Sequence, residues 1–144
     1  MKVPNKAATK PTKNPENVKR GKRSRNKGSS FERTIAKKFA SAYGIDLVRT
    51  PLSGGFAKSA EKADDFRGDI VAADNTLDFK LHVECKNTQK WSLPAWLQQA
   101  QGDCPKKKIP IVVFHQFNTS KDYVCISLDD FFSLVHREDI AKKK

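Results

Sequence analysis

A chain of 144 residues, 38% of them apolar and two of them Trp, supports one compact domain and is too short for a multidomain machine. Its net charge of +12, from 28 Lys and Arg against 16 Asp and Glu, makes a polyanion the first partner class to consider. The three cysteines, Cys85, Cys104 and Cys125, have no CxxC spacing and so speak against a disulfide framework or a zinc ribbon. No apolar run approaches the ~18 residues that cross a bilayer. The expectation is a soluble protein of a reducing compartment, cytoplasmic or otherwise intracellular, not secreted and without a membrane partner.

The positive charge is concentrated at one end, since residues 1–27 hold ten Lys and Arg and one acid, Glu16. Three prolines, no aromatic residue and few apolar side chains predict a basic disordered tail there, with the folded domain running from residue 28 to about 140. A first helix is predicted from Ser29, a capping residue with Glu32 three positions on, through Phe31, Ile35, Phe39 and Ala42 at helical spacing, to Gly44. Ile45 to Thr50 then reads as a strand stopped by Pro51. The polar segment from Ser53-Gly54-Gly55 to Arg67 reads as a long loop.

Gly68 to Ala73 reads as a short apolar strand, Asp74-Asn75 as a turn, and Asp78 to about Asn87 as a second strand. Alternation in that second strand puts Phe79, Leu81, Val83 and Cys85 on a core face. Lys80, His82, Glu84 and Lys86 share the other, which is expected to carry the polar chemistry. A second helix is predicted from Ser92 or Pro94 to about Gln101, stopped by Gly102 and Pro105. Ile109 to His115 and Tyr123 to Ser127 read as strands, and Leu128 to His136 as a closing helix with Ser127 and Asp130 as a capping box. Helix, three strands, helix, two strands and helix together predict an α/β fold, a mixed sheet flanked by helices.

The residues that carry chemistry are Asp69, at the start of one strand, and Glu84-Cys85-Lys86 fourteen residues beyond Ile70 on its neighbour. If the two strands form a hairpin, the Asp69 and Glu84 carboxylates can share one Mg²⁺, with the Cys85 carbonyl as a further oxygen and Lys86 beside the site. Hydrolysis of a phosphodiester needs these parts: a metal that offsets charge and acidifies water, and a cation that stabilises the transition state.

Asp69…Glu84-x-Lys86 resembles the motif of the PD-(D/E)xK nucleases, whose fold is restriction-endonuclease-like, with Gly68 where the superfamily name has proline. Gly28-Ser29-Ser30-Phe31-Glu32-Arg33 and Val48-Arg49-Thr50-Pro51-Leu52-Ser53-Gly54 further resemble the archaeal-type Holliday junction resolvases, over residues 28 to 126. That resemblance implies an acid on the first helix, Glu32, at the metal, and Ser53 at the scissile phosphate. It also implies Mg²⁺, for which Mn²⁺ can substitute, a homodimer, and DNA four-way junctions as substrate. Arg33, Arg49, Lys22, Arg23 and Arg25 are the expected contacts to the flanking backbone.

Blander readings compete at several positions. Glu32 also suits a helix cap, Ser53 a turn, and Glu84 and Lys86 a solvated strand face. Gln98, Gln99 and Gln101 follow the lysine on a helix, and spacing does not choose which faces the site. His82 forms no zinc spacing with His115 and His136, so packing or DNA contact is expected of it. Trp91 and Trp96 could each stack on nucleic-acid bases, but Trp96, inside an amphipathic helix, reads as core. Two rival functions remain at this point: a duplex-cutting or nicking nuclease with the same trio, and a non-catalytic nucleic-acid-binding protein.

Overall fold

The computed structural model describes residues 14–50, 67–74 and 77–136. Helix α1 spans Pro15–Tyr43 and leads into β1 (Leu47–Arg49), β2 (Ile70–Ala72) and β3 (Leu81–Lys86). Helix α2 (Leu93–Asp103), β4 (Ile109–His115), β5 (Asp122–Cys125) and α3 (Leu128–Leu134) complete the chain.

The first helix departs most from expectation. It starts at Pro15, so the described part of the tail, residues 15–27, is helical rather than disordered. Asn14 caps it, its Oδ1 accepting from the Glu16 N–H at 3.0 Å, with Pro15 at the first helical position. Lys, Arg and Glu cost a helix little more than Ala does, and a composition read for disorder overlooks that. Every residue from Asn14 to Lys27 is exposed, so up to Lys27 this arm stands chiefly on its cap and on propensity. The second half is anchored by Phe31, Ile35 and Ala36, the two larger side chains contributing about 1.5–3 kcal/mol each on burial. Gly44 ends the helix at φ 66°, its N–H donating to the Ala40 carbonyl.

The five strands lie in the order β1-β2-β3-β4-β5. β1/β2, β2/β3 and β4/β5 are antiparallel, while β3/β4 is parallel and bridged by α2. Phe31, Ile35 and Ala36 of α1 pack with Leu47, Ile70, Val83, Ile111 and Val113 on one face. On the other face Ala100 of α2 packs with Val112 and Phe114, and Leu93, Trp96 and Leu97 fill in around them. Trp91 and Trp96 both lie against the Phe114 ring, with centroids 5.0 and 6.0 Å away.

Because α2 covers the second face, β3 is buried on both sides. His82 is fully buried and Glu84 is 8% exposed, so the face that carries Glu84 and Lys86 is covered rather than solvated. β3 also begins at Leu81 rather than Asp78, and α2 runs through Gly102 to Asp103. Ser127 caps α3 through its Oγ, which accepts from the Asp130 N–H at 3.1 Å and donates to the Asp130 carboxylate at 2.5 Å.

Candidate active site

Two strands of opposite direction bring the acids together. Ile70 pairs with Val83, and Asp69, the residue before Ile70, lies close enough to Glu84 for the two carboxylates to repel each other. Asp69 is held from both neighbours. Its N–H donates to the Val83 carbonyl at 2.7 Å, and its own carbonyl accepts from the Thr50 N–H at 2.9 Å. Its Oδ2 accepts from the Cys85 N–H at 2.7 Å, so the β2/β3 ladder opens here and a side chain occupies the gap. Thr50, buried at the end of β1, also donates through Oγ1 to the Gly68 carbonyl at 2.7 Å.

Gly68 itself sits at φ +93°, and a Cβ there would lie 3.1 Å from His82 Nδ1 and 3.1 Å from the Val83 carbonyl. Proline, locked near φ −65°, cannot take this conformation. That is the physical reason this chain has glycine where the superfamily name has proline.

Lys86 and Glu84 are two residues apart on one strand and so share a face. Lys86 Nζ donates to Glu84 Oε1 at 2.6 Å and to Gln99 Oε1 at 2.9 Å, while Gln99 Nε2 donates to Glu84 Oε1 at 3.0 Å. The three side chains close a triangle. Of the three glutamines on α2, Gln99 is therefore the one that faces the site.

The electrostatics are dominated by burial, with crowded acids adding to it. Burial, then the charges of Glu84 and Glu32, push Asp69 up from 3.8 to about 7, against the Cys85 N–H and the Lys86 ammonium, which lower it. Burial and the same carboxylates push the Cys85 thiol up, which leaves it neutral and removes its sulfur as a ligand. Asp69 Oδ2 and Glu84 Oε1 are committed to protein donors, and the second oxygen of each is the one that can face a cation. Among the described residues no three His, Cys, Asp or Glu side chains form a metal cage. Two carboxylates, with water and phosphate supplying the remaining oxygens, are what Mg²⁺ usually takes from a protein.

Residues 23–143 match the family described as "Phage putative PDDEXK endonuclease". The chain belongs to this PD-(D/E)xK endonuclease family. No curated protein and no solved structure matches it. The mixed sheet with flanking helices is the restriction-endonuclease-like α/β fold that the resemblance implied.

In this endonuclease Glu32 lies inside α1, well past its start, so it caps nothing; its Oε2 instead pairs with Arg49 Nε of β1. Both side chains are largely buried, and Glu32 is close enough to raise Asp69. Arg33, Lys22, Arg23 and Arg25 are exposed on α1, and Ser53 lies outside the described residues.

His82 packs beneath the site against Gly68, and neither of its ring nitrogens reaches a partner in good geometry. Burial lowers its pKa, and Glu84 only partly opposes this, so it remains a neutral packing residue. Thr50 is the support that sequence reading missed. Its one signal was a hydroxyl residue ending a strand directly before Pro51.

Among the described residues no helix is long and apolar enough to cross a membrane.

Proposed function

We propose that this endonuclease is a Mg²⁺-dependent, structure-selective DNA endonuclease that resolves four-way junctions as a homodimer, with one active site for each strand to be cut. The observation that carries the hydrolytic part is the nearness of the Asp69 and Glu84 carboxylates at adjoining strands, with the Lys86 ammonium 2.6 Å from Glu84. Support for junctions and for the dimer is the sequence resemblance over the first helix and first strand.

The free oxygens of Asp69 and Glu84, with the Cys85 carbonyl and Glu32 nearby, would hold Mg²⁺ or Mn²⁺, whose chemistry when bound is to neutralise phosphate charge and acidify water. Lys86, kept in place by Glu84 and Gln99, sets a positive charge beside the reacting phosphate, where charge develops in the transition state. Ser53 contacts the scissile phosphate. Arg33, Lys22, Arg23 and Arg25 grip flanking backbone, and Arg49 does so from its pair with Glu32.

The deciding experiment incubates labelled four-way junction, matched linear duplex and single strand with Mg²⁺ or EDTA, alongside Glu84→Ala. Paired Mg²⁺-dependent incisions at the branch point, absent from duplex and from the variant, are expected. Equal cutting of duplex would overturn the junction reading and leave the nuclease. Binding without cutting in Mg²⁺ and Mn²⁺ would favour a non-catalytic binding protein, for which two neighbouring acids are a liability toward phosphate. Sedimentation as a monomer, with and without DNA, would refute the dimer.

A further inference from the structure

On the opposite side of the sheet from Glu84, α1 and the ends of β3 and β4 enclose a cavity of about 400 Å³. Its walls include Lys27, Ser30 and Thr34 of α1, Asn87 just past β3, and His115 at the end of β4. Asp122 is the acid in the lining, and it is already compensated. Lys38 donates to its Oδ2 at 2.5 Å, and His115 Nδ1 lies 2.8 Å from its Oδ1. An imidazole that gives its Nδ1–H to a carboxylate has Nε2 left, which accepts in the neutral ring and donates to an anion only when the ring carries a second proton.

Lys27 is held over the Phe117 ring, 4.3 Å from its centroid, rather than in an ion pair. Asn87 Oδ1 is buried without a donor, and a half-turn of the amide exchanges it for two N–H groups. The balance of the pocket is positive and rich in donors.

Two further observations identify what such a pocket takes. First, Lys19, Arg23 and Lys27 follow one another at four-residue intervals, so the row that lines the cavity continues along the exposed arm of α1 for about 12 Å. Second, the cavity opens at the same end of the sheet as the two carboxylates. Lys86 pairs with Phe114, so Asn87 and His115 lie one step beyond, about 10–14 Å from the Asp69–Glu84 pair by strand spacing and rise.

We propose that this pocket, through Lys27, Ser30 and Asn87 beside His115, holds a backbone phosphate of the DNA strand about two nucleotides from the bond that is cut, neighbouring phosphates of one strand lying ~6–7 Å apart. The strand rounds the end of β3 from the carboxylate face to the α1 face and continues along Arg23 and then Lys19 on the helix. This rests on the reading of the protein as a DNA nuclease.

The test uses the full chain carrying Glu84→Ala, so that binding is read without cutting. The probes are a labelled four-way junction and a linear duplex, each with a single neutral methylphosphonate walked along one strand, at positions counted from the wild-type cut. One position about two nucleotides from the cut is expected to weaken binding about fivefold. Adding Lys27→Gln and Ser30→Ala, both on the exposed surface of α1, is expected to erase that one effect and reduce the salt slope by about 1. Lys37→Gln, an exposed lysine of α1 outside the cavity, is expected to leave the positional effect in place. Binding in which the positional pattern is unchanged by the double variant would overturn this proposal alone. Loss of all DNA binding by the parent protein would overturn the nuclease reading with it.

Discussion

Asp69→Asn separates the stability of the metal-free fold from its activity. A carboxyl that titrates near 7 instead of 3.8 costs the ionised fold about 4 kcal/mol relative to the unfolded chain. The side chain keeps part of its surface in water, so the expected gain on neutralisation is about 1–3 kcal/mol. The sign follows from proton binding. Below 3.8 both states hold the proton and Asp69 contributes nothing; between 3.8 and about 7 the folded state binds more protons, so wild-type stability falls as pH rises. Above that the full penalty is present.

Asn keeps an oxygen that can accept from the Cys85 N–H and carries no charge. Urea denaturation in EDTA is therefore expected to show the variant more stable than wild type at about pH 8 and equal to it at about pH 3. Added Mg²⁺ is expected to stabilise wild type and leave the variant unchanged, while the variant's cleavage falls by at least ~100-fold. A variant no more stable than wild type at the higher pH would refute the argument that burial and the neighbouring acids make the ionised Asp69 carboxylate costly in the metal-free fold.

Gln99→Ala removes both contacts that steady Lys86 and Glu84, and a roughly 10-fold or greater fall in cleavage rate with unchanged thermal stability is expected in single-turnover kinetics. Gly68→Ala forces φ +93° on a residue with a Cβ and presses it on His82 and Val83, so denaturation should show a loss of about 1–3 kcal/mol. Asn14→Ala removes the cap of α1, and hydrogen exchange over residues 15–27 should quicken by about fivefold, corresponding to ~1 kcal/mol, with no change near Ile35.

Much of the fold was legible because its signals are local. Gly44 stops α1 through its own left-handed backbone, Ser127 and Asp130 cap α3, and the apolar run from Ile109 to His115 is the strand that it reads as. The start of α1 was hidden because composition registers the lack of a core, whereas a capped helix of Lys and Arg needs none to form. The trio Asp69, Glu84 and Lys86 could be marked from spacing, since strand alternation fixes which residues share a face.

What spacing does not contain is what packs on that face. Only the β3-α2-β4 crossover buried Glu84 and selected Gln99 from three glutamines at neighbouring helical positions, and only the packing of α1 on β1 turned Glu32 toward Arg49. The cavity beside Asn87 and His115 likewise joins residues far apart in the chain. A carboxylate's partners and its proton affinity depend on distances through space, and those exist only once the sheet and its helices have closed around it.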